Sequence, residues 1–170
     1  MDGSNPLAHK RPAAKRDVQP ESLKDEVHNL LEESRMVLPG IQALFGFQLI
    51  AVFNDGFQRL SAALQLTHLV AIFAVAGAIA LIMTPAAYHR IAERGDISRK
   101  LAELGSAMLA AAMLPFAFGM ALDIFIIAQL ILDNFVASSA VSALAILTFS
   151  GLWFVLPVVA RLRRRRRAHG

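Results

Sequence analysis

Asp123 is the only formal charge in the apolar run from Leu104 to Leu132, and Gln42 and Gln48 interrupt an earlier run from Met36 to Asn54. A carboxylate so far from polar flanks is costly in hydrocarbon, and in membrane helices it faces a bundle interior, a water-filled cavity or a partner. There it can carry a proton or ligate a cation. Its alternative role is structural, as a protonated or hydrogen-bonded side chain. Ten residues, about 15 Å of helix, separate it from Asp133 at the nearer turn. Gln42 and Gln48 are six positions apart and so lie on different sides of one helix. At most one of them easily faces the same cavity as Asp123, and Gln48 is nearer to the same half of the membrane. A buried glutamine otherwise bonds across helices.

The five histidines suggest no cofactor site. His68 and His89 stand at opposite ends of one apolar segment and cannot share a haem. His28 and Glu32 form an i, i+4 pair that could meet His89 around a metal, although a solvated helix face explains the pair more simply. With no cysteine there is no disulfide, thiolate ligand or cysteine nucleophile. No glycine-rich phosphate loop, serine triad or zinc spacing is present. The expectation is a protein without catalytic residues, metal or cofactor.

The elements that must position these residues are membrane helices. The chain has 170 residues, 56% of them hydrophobic, too apolar for an ordinary soluble domain. Residues 1–20 are polar and rich in Pro, Lys and Arg, and predict a disordered cytoplasmic tail lacking the apolar core of a signal peptide. From 21 to 35 the leucines fall on one face and charges on the other, predicting an amphipathic helix along the membrane interface. Pro39 predicts a bend where that helix turns into the membrane. Nineteen uncharged residues then separate Arg35 from Asp55, roughly 28 Å of helix and close to a bilayer's hydrocarbon thickness.

Four spans are expected within a membrane domain at 36–160, at about 36–54, 62–87, 104–132 and 135–160, followed by a basic tail at 161–170. Six Lys or Arg precede the first span, four lie between the second and third, and six follow the fourth; the other two turns hold only Arg59. By the positive-inside rule both termini and the middle loop are cytoplasmic. Small residues at one-turn spacing, including Gly40, Ala43, Gly46, Ala71, Ala74, Gly77, Ala78, Ala107, Ala110, Ala111, Ser138, Ser139 and Ser142, allow close helix approach. The predicted fold is all-α: an integral membrane, antiparallel four-helix bundle preceded by the interfacial helix. Arg161 and Arg163, Arg164, Arg165, Arg166 and Arg167 form a basic clamp for anionic lipid headgroups, at about 1 kcal/mol per residue. Without interleaved aromatics or a folded basic face, nucleic acid is not the expected partner.

Arg35, Gly40, Gln42, Leu44, Phe45, Phe47 and Leu49, with Pro85, His89 and Arg90, resemble a family of small, uncharacterised four-span bacterial inner-membrane proteins over residues 25–162. The resemblance implies that fold and a bacterial inner-membrane location. Some members are automatically labelled sodium:proton antiporters, but such antiporters are far longer and use paired acids on broken helices. The leading expectation is a non-enzymatic membrane protein acting through assembly, as a homo-oligomer or an accessory subunit of a larger complex. The alternative is a small ion or proton channel or transporter using Asp123 with Gln48 or Gln42.

Overall fold

In the computed structural model, residues 23–92 and 99–168 are described; the expected tail at 1–20 and loop residues 93–98 lie outside them. Six α-helices follow in order: α1 (Leu23–Ala51), α2 (Asp55–Gln58), α3 (Ala62–Ala92), α4 (Arg99–Leu132), α5 (Phe135–Ser150) and α6 (Leu156–Ala168), with a π-turn at Gly151–Val155 joining the last two. Three of these continuous stretches, 62–92, 99–132 and 135–166, are long and apolar enough to cross a membrane. α1 is not among them, since Gln42, Gln48, Pro39 and its charged first half dilute its apolar content.

The helix does not end at Pro39. The amphipathic segment and the first apolar run form one helix of 29 residues with Pro39 inside it. Proline removes one backbone hydrogen bond, and a helix fixed on both sides of that gap can continue through it. On one side Val27 is buried against Leu101 and Ala102; on the other Ile41 is buried with Val75, Ala78, Ile82 and Ala112. The amphipathic face that suggested lipid therefore packs partly on the first turn of α4.

α3 and α4 make the most extensive contact. Ile82 clusters with Ala112, the Gly119 backbone lies against Val75 and Ala71, and His68 is beside Asp123. Moving up one helix is thus moving down the other. Small residues make this approach possible, since Ala71, Val75, Ala78 and Ala121 are completely buried. Other expected small-residue contacts do not form: Gly40, Gly46 and Gly77 have open space where a Cβ would sit, and Ala107 and Ala110 are exposed.

The last helix is attached differently from the other three. α1 packs on both α3 and α4, whereas α5 has its extensive interhelix contact only with α4. Ser142 Oγ donates to the Ala121 carbonyl at 2.7 Å, Phe125 meets Phe135 edge-on, and Trp153 stacks between Phe116 and Phe149. The most apolar eighteen residues of the continuous stretch 135–166 include no buried residue. The described helices thus form a three-helix core with a fourth leaning on one side, rather than a closed ring.

The π-turn has a local cause. Leu156 N donates to the carbonyl of Gly151, five residues back, just before Pro157, whose ring would clash with the carbonyl four residues earlier in a regular α-helix. Widening the turn by one residue relieves that clash. α6 carries Arg161 and Arg163 to Arg166 as exposed residues, and Arg167 continues the same helix, so the expected basic tail is helical.

Candidate functional site

Asp123, His68 and Gln48 come from α4, α3 and α1 and meet at one point. Gln48 Nε2 donates to Asp123 Oδ2 at 2.6 Å, and His68 Nδ1 lies 3.5 Å from Asp123 Oδ1. His68 Nε2 is 2.9 Å from the Gln48 backbone carbonyl. That carbonyl lies in the last turn of α1, and beyond it the carbonyls of Ile50 and Ala51 are met by Phe53 N and Asn54 N. His68 thus ties the end of α1 to α3 while facing the carboxyl group.

These contacts fix where hydrogens can lie. A carbonyl only accepts, so Nε2 of His68 carries its hydrogen. Nδ1 is then the ring nitrogen that faces Asp123 Oδ1, and either of these atoms can accept a proton. The 3.5 Å separation is longer than an N–H···O bond of about 2.7 to 3.2 Å, so a proton passes directly between the two side chains only when they close up.

The surroundings hold this arrangement. Phe57 meets the His68 ring edge-on with centroids 5.3 Å apart, and Gln65 Nε2 donates to the Phe57 carbonyl at 3.1 Å, tying the turn to α3. Asn54 caps α2 by accepting from Gly56 N. Above the polar group is an open cleft of about 430 Å³, with Leu44, Phe47, Ile126 and Ile127 on its walls and Asn54, Gly56 and Phe57 from the connecting turn. Asp123 keeps 18% of its side-chain surface accessible and His68 9%, so the pair can be reached from the cleft. Gln48 Oε1 is buried without a donor.

Of the residues expected here, the structure brings Asp123 and Gln48 together, while Gln42 is exposed on another face of α1. His68 was read only as a residue near a helix end. Its depth was the available signal, since it lies seven residues inside α3 from Ser61 while Gln48 lies six inside α1 from Asn54. The expected His28–Glu32 pair forms at 3.1 Å, exposed to solvent. His89 does not join it, since no group of three His, Cys, Asp or Glu side chains converges among the described residues.

Residues 17–157 match the family of unknown function DUF6328. The chain belongs to that family. The DUF6328 match contains Gln48, His68 and Asp123, ends at Pro157 beside the π-turn, and leaves the arginine run outside. No curated protein and no solved structure matches.

Proposed function

We propose that this chain is a non-enzymatic, multi-pass protein of the bacterial inner membrane that serves as a small proton or cation pathway through the Asp123–His68–Gln48 site. The observation that carries this reading is the approach of two titratable side chains, His68 and Asp123, beside an open cleft. A purely structural Asp needs only a partner, and Gln48 already supplies one. A second titratable group facing it gives a proton somewhere to go. An ionised Asp123 would leave a net charge in an apolar setting, which a cation entering beside it would offset. The test is flux of protons or monovalent cations across vesicles containing the purified chain, under an imposed gradient.

The reading includes four spans, with α1 as the first, in an antiparallel bundle whose termini and middle loop are cytoplasmic. The sixteen-to-one distribution of Lys and Arg supports this topology. A reporter that works only in the cytoplasm should be active when fused at Gly170 or within Gly95 to Ser98, and inactive within Asp55 to Gln58. Activity at the last position would remove α1 from the spans.

A second reading, assembly as a homo-oligomer or as an accessory subunit, is supported by the one-sided attachment of α5. A span touching one neighbour leaves room for another helix in the membrane plane, and Val136, Leu144 and Leu147 are exposed along it. Native mass measurement in mild detergent should find a dimer or larger species. A clean monomer recovered without a partner would count against this reading and leave the pathway reading standing.

A further inference from the structure

At the opposite end of α1 from Asp123, a groove of about 180 Å³ runs between α1 and α3, lined by Leu31, Ser34, Arg35 and Leu38 on one side and Ile82, Met83, Ala86, His89 and Arg90 on the other. Because the two helices run in opposite directions, Arg35, His89 and Arg90 gather toward one end, with Leu38, Ile82 and Met83 toward the other. We propose that this groove binds the phosphate headgroup of an anionic phospholipid, with Arg35 and Arg90 on the phosphate and the start of an acyl chain along Leu38, Ile82 and Met83.

Three observations support this occupant. Two arginines line the groove without an acidic residue among its walls, while the nearby acids Glu32 and Glu103 pair with His28 and Arg99. His89 lines the same end of the groove as the two arginines. Ser34 Oγ already donates to the Leu30 carbonyl at 2.9 Å, so the basic side chains supply the recognition. The groove on the other side of α1, about 320 Å³ against α4, is the control within the molecule: Glu33 lines it and no arginine does. Planar guanidinium groups suit phosphate oxygens, and a basic end continuous with an apolar groove matches the two halves of a phospholipid. A soluble anion would make no use of the apolar half.

The test is native mass spectrometry of the full chain in mild detergent, titrated separately with phosphatidylglycerol, phosphatidylcholine and inorganic phosphate. It is run in a background where Arg161 and Arg163 to Arg167 are all replaced by Gln, which removes the second basic cluster. Preference for phosphatidylglycerol over phosphatidylcholine is expected, with no competition from millimolar phosphate. Arg35→Gln with Arg90→Gln should weaken phosphatidylglycerol binding by about thirtyfold, roughly fivefold per lost charge. Ala86→Leu, which fills the groove without touching a charge, should weaken it as well and covers the case in which the double variant fails to fold. Equal binding of the two lipids, unchanged binding in Ala86→Leu, or displacement by inorganic phosphate would each overturn the proposal.

Discussion

Asp123→Asn should reduce proton or cation flux through reconstituted vesicles to the level of empty vesicles while leaving the chain folded. The substitution separates charge from shape. An amide oxygen at position 123 still accepts from Gln48 Nε2, and the amide nitrogen can donate to His68 Nδ1, so both contacts survive. What disappears is the exchangeable proton. His68→Gln should have the same effect, since it retains a donor for the Gln48 carbonyl but has no second site for the proton. If flux persists in both variants, the pathway does not run through this pair. If the wild-type chain conducts nothing under any gradient, the transport reading fails, and Asp123→Leu becomes the informative change. That variant should then weaken the fold by about 1 to 3 kcal/mol, because it strands the Gln48 donor.

Gly119→Val should be the most damaging single change to the fold. A Cβ at 119 would lie 2.8 Å from Val75 Cγ2 and 3.1 Å from the Ala71 carbonyl oxygen. The second neighbour is backbone and cannot swing aside, so α3 and α4 must separate. Overpacking of this kind costs about 1 to 3 kcal/mol, and valine's branched side chain places it at the upper end. Gly105 makes the comparison. A Cβ there would meet Leu30 Cδ2 at 2.8 Å and Cδ1 at 3.0 Å, the mobile end of a side chain. Replacing a mid-helix glycine by alanine also gains about 1 kcal/mol of helix propensity, so Gly105→Ala should be close to neutral. Thermal unfolding in detergent should show a clear loss for Gly119→Val and little change for Gly105→Ala. Because Gly119 is about one turn from Asp123, spreading the helices there should also withdraw the carboxyl group from His68 and reduce flux. A Gly119→Val chain as stable as wild type would mean that α3 and α4 approach less closely than described.

The parts of this fold legible in the sequence were those written in one helix at a time. An acid inside an otherwise uncharged run identified Asp123 without reference to any neighbour, and the long apolar segments announced α3, α4 and α5. The choice between Gln42 and Gln48 could not be made that way, because six residues of helix place them on different sides and only packing says which side is inward. His68 escaped for the same reason: its meeting with Asp123 depends on the relative height of helices whose paired residues are 55 positions apart in the chain. The continuity of α1 through Pro39 was likewise hidden, since a missing backbone hydrogen bond does not say whether the helix goes on, and contacts from α3 and α4 on both sides support it. In α5 the apolar residues occur all around the helix, and only Ser138 and Ser142, one turn apart, mark the packed face opposite the open one.

The π-turn at Gly151–Val155 also acts as a phase shifter. One extra residue in a helix rotates everything beyond it by about 100° relative to a regular α-helix. The side of α5 that Ser142 presents to α4 is therefore out of step with whatever side α6 presents with its arginines. The angle between these two faces depends on the number of residues between them. Substitutions among the arginines can change their charge but not the direction in which they are aimed. A one-residue deletion beside Pro157 would instead turn the whole cluster about the helix axis with its charge intact.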